Sequence, residues 1–303
     1  MVKLSIIILN WNTKDLLKQC VESIINGFEG LGVNELGVEI IIVDNGSTDG
    51  SVPIVKKKFP TVKLIENKEN LGFAKGNNQG LKEAKGEFVM LLNSDTLIKS
   101  GAIEKLVEYL DKNPDCAVSP LLELPNGKPQ LDYYMRFPNL WQIFLYHNPI
   151  LRPLTMNSPL KKLVCQSAND KPFLVDQLPM SALMAAKEVW QKVGELDPDY
   201  HFFFEDVDWS WRAKKAGVKL IVVPQAKIVH LGGGSWKKKL NQDKNAFYRQ
   251  FFASLLVFVK KNYSKTQFER FKIALAINFL ISLKFSLFWD LIKAELRQGN
   301  LWQ

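Results

Sequence analysis

The sequence predicts an α/β protein built on a mostly parallel, doubly wound sheet, followed by a basic helical appendage. Three observations carry that expectation. Continuous apolar runs such as Ile6–Leu9, Ile40–Val43 and Phe88–Leu92 read as strands covered on both faces. Between them lie segments whose apolar residues recur at helical spacing, so strand and helix alternate in βαβ order. The charge is also unevenly placed: the chain has 40 Lys+Arg against 31 Asp+Glu, and residues 231–303 alone hold 13 against 4. Residues 1–230 are therefore formally neutral and the whole +9 excess sits in the last quarter.

Each element has its own signal. A first strand from Leu4 runs into the aromatic-polar cluster Asn10-Trp11-Asn12. Leu16, Leu17, Cys20, Val21 and Ile24 then mark a helix, stopped at Gly27. A loop over Glu29–Gly37 leads to a strand at Val38–Val43, a helix over Val52–Phe59 and a strand at Val62–Ile65. A helix over Phe73–Lys85 precedes the strand that delivers Asn93 and Asp95 at its carboxyl end. A helix near Ile103–Leu110 and a strand at Ala117–Ser119 follow. Residues 121–180 are broken by prolines, Pro125, Pro129, Pro138, Pro149, Pro153 and Pro159 among them, and include the aromatic, basic stretch Tyr133–Tyr146, read as a mobile loop, a membrane-contacting flap or ordinary core. Regular pattern resumes with a strand at Ser181–Ala185, helices at Lys187–Val193 and Val207–Ala216, and a strand at Lys219–Val223 joined to His230 by a short loop. Phe271–Ile292 reads as one 22-residue helix, with Asn278, Ser282, Ser286 and Asp290 forming a narrow polar stripe.

Composition excludes several classes. Hydrophobic content of 47% is globular, not disordered. Cys20, Cys116 and Cys165 lack metal-ligand spacing and read as reduced core residues of a cytosolic protein, so zinc is not expected. The chain enters a strand directly after Lys3, which predicts no signal peptide. A basic surface seeks nucleic acid, anionic lipid or phosphorylated substrate. No recognised DNA- or RNA-binding motif is present, so no nucleic-acid partner is expected.

The chemistry-bearing segments come in a fixed order. They are Asn10-Trp-Asn12, Asp44-Asn-Gly-Ser-Thr-Asp49, Asn70–Gly80, Asn93-Ser-Asp95, Phe202-Phe-Phe-Glu-Asp-Val-Asp-Trp209 and Val229-His-Leu-Gly-Gly-Gly-Ser235. Oxygen ligands at positions 93 and 95, beyond a strand's carboxyl end, suit a hard cation shared with a diphosphate, or simply a turn or helix cap. Glu205-Asp206 can serve as a base or as caps favoured by the helix dipole. Together these segments resemble the inverting glycosyltransferases of family 2, with the GT-A fold, and the rhamnosyltransferase-like branch in particular. The resemblance covers roughly residues 3–235.

That resemblance implies a GT-A domain over residues 1–235, with a nucleotide-binding half (1–98) and an acceptor half (99–235), followed by a basic helical region over 236–303 that is a candidate for membrane association. Asn10, Trp11, Asn12, Asp44, Lys75, Asn78 and Asn93 would grip the nucleotide: Trp11 stacks on the base, Asp44 accepts from base or ribose, Lys75 offsets phosphate charge and Asn93 meets ribose or a metal-bound water. A surface lysine is the competing reading of Lys75. The family's Asp-x-Asp is here Asn93-Ser-Asp95, one formal charge fewer, so Asp95 is the expected metal ligand with His230, for Mn²⁺ or Mg²⁺. Asp206 would be the general base. Glu205 and Asp208 would bind acceptor hydroxyls or fix the helix start, with Trp209 a sugar platform or core residue, like Trp211. Gly232–Gly234 reads as a hinge that swings Ser235, Trp236 and Lys237–Lys239 toward the diphosphate.

The implied reaction moves a sugar from a dTDP- or UDP-linked donor, dTDP-rhamnose among them, to a glycan or polyprenyl-diphosphate-linked acceptor in bacterial surface polysaccharide synthesis. Two alternatives stand beside it. One is a sugar-nucleotide pyrophosphorylase, opposed by Asn10–Thr13 where a Gly/Arg-rich triphosphate loop belongs; the other is a non-catalytic sugar-binding protein, whose support is Asn93. For the tail, an interfacial helix is expected, with Phe279, Leu283, Phe288 and Trp289 toward lipid and lysines toward anionic headgroups. A helix buried on the catalytic domain or in a homodimer is the alternative. The expected location is cytoplasmic, peripheral on the inner face of the cell membrane.

Overall fold

The computed structural model describes residues 2–28, 37–130, 133–166, 170–200, 203–232 and 243–296. The loop expected over Glu29–Gly37, the hinge residues Gly233 and Gly234 with Ser235–Lys239, and Phe202 fall wholly or mostly outside the described residues. The chain divides into two compact units.

The first unit comprises residues 1–134, 168–199 and 205–234. Its elements run β1 (Leu4–Asn10), α1 (Lys14–Gly27), β2 (Val38–Asp44), α2 (Ser51–Lys58), β3 (Lys63–Glu66), α3 (Phe73–Glu83), β4 (Phe88–Asn93), β5 (Thr96–Ile98), α4 (Ala102–Lys112) and β6 (Cys116–Glu123). These are followed by β7 (Phe173–Leu174), β8 (Ala182–Ala186) and α7 (Lys187–Val193), then α8 (Glu205–Lys215) and β9 (Lys219–His230); α5 and α6 belong to the second unit. The sheet order is β3-β2-β1-β4-β8-β6-β9-β5, with β7 beside β9. Strands β1 to β4 are mutually parallel, β8 is antiparallel to both neighbours, and β6 and β9 are again parallel. The expected mostly parallel sheet is present.

The apolar runs become the core as read: Ile6–Ile8, Ile41–Val43 and Met90–Leu91 are fully buried. Helix α3 lies unusually close to β1. A Cβ on Gly76 would sit 2.4 Å from Leu9 Cδ1, and one on Gly80 would sit 2.3 Å from Ile7 Cγ2. These two glycines share one helix face (i, i+4), and no larger residue permits that approach.

Two boundaries differ from the sequence reading. The last strand does not end at Val223 but continues to His230, so no loop separates them. Pro224 lacks an N–H, and the β6–β9 register shifts there, from Pro120↔Val223 to Leu121↔Lys227. The proline looked like a terminator but marks an irregularity inside a strand. Helix α8 begins at Glu205, two residues before the expected Val207.

The second unit comprises residues 135–167, 200–204 and 235–303. Its elements are α5 (Leu140–Leu145), α6 (Leu151–Met156), a 3-10 turn at Pro159–Leu163, α9 (Lys244–Asn262), α10 (Lys265–Ile281) and α11 (Phe285–Leu296). The expected single helix over Phe271–Ile292 is thus broken. Leu283 takes φ 54°, a left-handed conformation that an L side chain resists, and the chain turns there. Ser264 starts α10 with a full capping box to Gln267.

The polar stripe is split by this break: Asn278 turns inward, whereas Ser286 is exposed. Asn278 is fully buried, and Asn148 donates to both Asn278 Oδ1 (2.9 Å) and Ser282 Oγ (3.1 Å). Asp290 takes a 2.6 Å hydrogen bond from Arg249. Phe279, expected to face lipid, is buried edge-on against Phe252 at 5.0 Å. A buried amide needs partners: Asn278 Oδ1 finds one in Asn148, whereas its Nδ2 has none among the described residues.

Candidate active site

Parallel strands leave their carboxyl ends open for ligands, and β1, β2 and β4 end in Asn10, Asp44 and Asn93. Register pairs Asn10 with Asp44 and Leu9 with Asn93, which places the three ends side by side. Asn10 Nδ2 donates to Asp44 Oδ2 (2.7 Å) and to Ser47 Oγ (3.1 Å), while Ser47 N donates to Asp44 Oδ1 (2.8 Å). Thr13 Oγ1 donates to Asn10 Oδ1 (2.6 Å) and lies 2.9 Å from Ser94 Oγ. One hydrogen-bond chain therefore links β2, β1 and the turn after β4. Thr13, Ser47 and Ser94 carry no sequence signal of their own; only the strand alignment joins them.

Asn12 adopts φ 53°, which asparagine tolerates, and its Oδ1 accepts from Thr48 N at 2.8 Å. That turn leaves Trp11 38% exposed beside the strand ends, not buried under the sheet. Gly46 has φ 71°, and a Cβ there would lie 2.9 Å from the Glu69 backbone, so the turn after Asp44 requires glycine. Lys75 is exposed on α3. Asn78 is buried, with both amide atoms on the Leu196 backbone (2.8 and 2.9 Å). Its contacts in this structure tie α3 to the Leu196 loop.

Strand β5 does the decisive work at the other end of the cluster. This three-residue strand, absent from the sequence reading, pairs antiparallel with β9 so that Thr96 faces His230. Leu231 N donates to Asp95 O (2.9 Å), and Asp95 Oδ1 lies 3.2 Å from His230 Nε2. Two residues 135 positions apart in sequence are thereby juxtaposed. His230 is buried and held from behind. Gln130 Nε2 donates to His230 O (2.9 Å), which leaves Gln130 Oε1 to accept from His230 Nδ1 at 3.0 Å. The proton thus belongs on Nδ1, and the Nε2 lone pair points toward Asp95. Tyr133 packs edge-on against the same ring at 5.2 Å.

A carboxylate and a neutral imidazole side by side fit Mn²⁺ or Mg²⁺, the carboxylate suiting either and the imidazole favouring Mn²⁺. Among the described residues no group of three or more His, Cys, Asp or Glu could hold a metal. The donor set therefore suits an ion completed by a ligand's own oxygens, not a closed structural site.

The acidic segment opens α8 after two consecutive residues in the left-handed region, Phe203 (φ 64°) and Phe204 (φ 72°). Non-glycine residues hold that conformation at a cost of about 1–3 kcal/mol each, strain of the kind that gathers at functional sites. Glu205 is buried with Oε2 unpartnered among the described residues; burial and then the adjacent Asp206 charge push its pKa up. Asp206 is partly exposed at the surface, accepts from Val207 N (2.8 Å), and is also raised by desolvation.

The acceptor-binding expectation fails for the other two members. Asp208 is buried with Oδ2 on Arg212 Nε (2.7 Å), and Arg212 also donates to the Val193 and Glu195 carbonyls. Trp209 is fully buried against Trp190 (4.6 Å) with its indole N–H on Gly194 O. Both are structural residues, because their polar atoms and faces are already occupied within the domain.

Comparison with known proteins agrees with this fold. Similar solved structures are GalNAc-T7 with UDP, GalNAc and Mn²⁺ (TM-score 0.57, 20% identity, 76% of this chain and 43% of that one) and Staphylococcus aureus TarS 1–349 (0.55, 17%, 92% and 71%), which establishes the GT-A-like fold. Residues 5–171 match Glycosyl transferase family 2, and the chain belongs to that family. It is a glycosyltransferase, which removes the pyrophosphorylase and non-catalytic alternatives. Among relatives, an N-acetylglucosaminyl-diphospho-decaprenol L-rhamnosyltransferase of Mycobacterium tuberculosis is 28% identical over 65% of this chain and 67% of its own. A poly(ribitol-phosphate) beta-glucosyltransferase of Bacillus spizizenii is 33% identical over 42% of this chain and 20% of its own.

Proposed function

We propose that the enzyme is a metal-assisted, inverting glycosyltransferase that moves a sugar from a dTDP- or UDP-linked donor to a hydroxyl of a lipid-linked or glycan acceptor in cell-surface polysaccharide synthesis. The observation that carries this reading is the β5–β9 pairing, which sets Asp95 beside His230 next to the Asn10–Asp44 strand ends. Trp11 supplies an aromatic face for a pyrimidine, and Asp44 and Asn93 supply polar contacts for base and ribose. A divalent cation at Asp95 and His230 would neutralise charge on the departing diphosphate. Asp206 takes the proton from the acceptor hydroxyl as that oxygen bonds to the anomeric carbon. The bond from that carbon to the diphosphate oxygen breaks on the opposite face, inverting the centre.

The relatives support the substrate classes. The mycobacterial protein's stated acceptor is a diphosphate-linked decaprenol, the Bacillus protein's a polymer of ribitol phosphate, and GalNAc-T7 was solved with UDP and Mn²⁺. The first of these is an L-rhamnosyltransferase with a lipid-linked acceptor, which supports dTDP-rhamnose as the donor and the inner face of the cell membrane as the site of action. Binding to the folded state alone raises apparent stability, so a thermal-shift screen of nucleotide sugars with and without Mn²⁺ tests the reading. The expected result is a rise in Tm with dTDP- or UDP-sugars that grows when Mn²⁺ is present. No shift with any nucleotide sugar, or one indifferent to metal, would overturn it.

A further inference from the structure

The second unit carries an unusual surface. Of the 18 large apolar side chains that stand exposed in the described residues, 14 belong to it, although it holds about a third of the chain. They are not scattered. On α10, Ile273, Ile277, Leu280 and Ile281 recur at i, i+4, i+7 and i+8, one continuous face. The break after α10 adds Leu283, 73% exposed, and α11 adds Phe285 and Trp289 one turn apart.

A second group on α5, α6 and the following 3-10 turn includes Trp141, Ile150, Leu154 and Leu160. Asn148 ties the groups together. Its Nδ2 donates to Asn278 and Ser282 while its Oδ1 accepts from the backbone N–H groups of Ile150 and Leu151. The turn bearing Ile150 is therefore fixed beside the break bearing Leu283. Monomeric soluble proteins seldom expose so continuous an apolar face without a partner for it.

Charge identifies the partner. The residues of this unit include 17 Lys+Arg against 4 Asp+Glu, a net +13, whereas the other unit nets −4. Lys265, Arg270 and Lys162 stand exposed on the elements that carry the apolar residues. We infer that the outer face of α10, the Leu283 break and α11, extended by the α5–α6 turn, is a docking surface for an anionic lipid bilayer. Apolar side chains enter the acyl boundary and the lysines and arginines meet headgroup phosphates. A second copy of the chain is disfavoured as the occupant, because two faces of the same strong positive charge repel. Among the described residues no helix is long and apolar enough to cross a membrane, so the contact lies along the surface. Of the side chains expected toward lipid, Leu283 and Trp289 lie on this face and Phe279 does not, while Asn278 and Ser282 anchor it from inside. The inference deepens the reading of a lipid-borne acceptor and rests on it only for its purpose.

The test is vesicle co-sedimentation of the full chain with phosphatidylcholine alone and with added phosphatidylglycerol, at low and high salt. The comparison is with Ile277→Gln/Ile281→Gln/Leu283→Asn, in which asparagine suits the positive φ at position 283. A separate Trp141→Gln/Leu154→Gln variant, on the other helices, guards against a fold defect in the first. Wild type is expected to sediment with anionic vesicles and to be released by salt. Each variant is expected to bind about tenfold or more weakly while keeping wild-type circular dichroism and nucleotide-sugar thermal shift. Wild type that ignores anionic vesicles at low salt, or folded variants that bind as tightly as wild type, would overturn the proposal. So would sedimentation velocity showing a wild-type dimer that the variants convert to monomer. Nucleotide-sugar binding is read in the same samples, so loss of docking and loss of the transferase reading remain distinguishable.

Discussion

At Asp95 and His230, the chemistry turns on which atoms face each other. With Gln130 holding the proton on His230 Nδ1, the His230 Nε2 lone pair and Asp95 Oδ1 stand 3.2 Å apart, an arrangement that gains from a cation and loses without one. Asp95→Ala should abolish the Mn²⁺-dependent part of nucleotide binding, and His230→Ala should weaken it less, since it removes no formal charge. Gln130→Leu should weaken it by about tenfold, within the range for outer-shell partners of metal-binding histidines. Calorimetric titration of UDP or dTDP with Mn²⁺ decides this, and a Gln130→Leu protein with unchanged metal dependence would reduce that contact to packing. Asp206→Asn should leave nucleotide binding nearly intact and lower kcat by about 10²-fold or more, the scale of a lost general base; retention of over about half the wild-type kcat with saturating acceptor would reassign the role. Glu205 offers a stability test. Its proton is held more tightly in the folded chain than in the unfolded one, because burial and then Asp206 disfavour its ionisation. Stability is therefore lost as pH rises from about 4 through the raised pKa, and Glu205→Gln has no such proton to lose. The Tm of the variant relative to wild type should climb between about pH 5 and about pH 9. A constant difference would show that Glu205 is not buried as described.

Among the elements, α3 and β5 show how backbone geometry sets the site. Helix α3 can lie on β1 only because Gly76 and Gly80 leave no Cβ in the way. Gly80→Val would drive a side chain into Ile7 and should lower stability by about 1–3 kcal/mol, read as a drop in urea midpoint at unchanged slope. An unchanged midpoint would mean that α3 is seated farther from the sheet. Strand β5 is too short for a period-2 pattern to show, since three residues of Thr-Leu-Ile read equally as loop. Strand β9 was legible as far as Val223 and then obscured by Pro224, although the chain merely shifts register and goes on. Because β5 and β9 pair, the two elements hardest to read are the two that bring Asp95 to His230.

For the whole molecule, the segregation of charge between the units, +13 against −4, sets the surface each presents to its surroundings. The C-terminal helices are also no detachable tail. Phe252 and Phe258 on α9 are buried, Phe252 meets Phe279, and Tyr263 packs on Phe271 at 5.8 Å. A chain truncated after Tyr263 would expose these aromatics and is expected to aggregate, with a concentration-dependent loss in size-exclusion chromatography. A monodisperse, soluble truncated protein would show that α10 and α11 contribute little to the second unit.

The sequence by itself determined the α/β class, the order of strands and helices through β4, and the strand-end positions of Asn10, Asp44, Asn93 and Asp95. Burial on both sheet faces writes a continuous apolar run, and the residue after such a run must lie at the strand's end. It also located the acidic pair and the basic C-terminal quarter, which composition records directly. Tertiary structure alone decided what depends on partners distant in the chain. Gln130 reaches His230 across 100 positions, Asn148 reaches Asn278 across 130, and no local period encodes either contact. The same holds for orientation: Trp209 and Phe279 had the right chemistry to face a ligand or a lipid, but neighbours from other elements claimed their faces first. A helical period says which residues share a face, and only packing says which face turns inward.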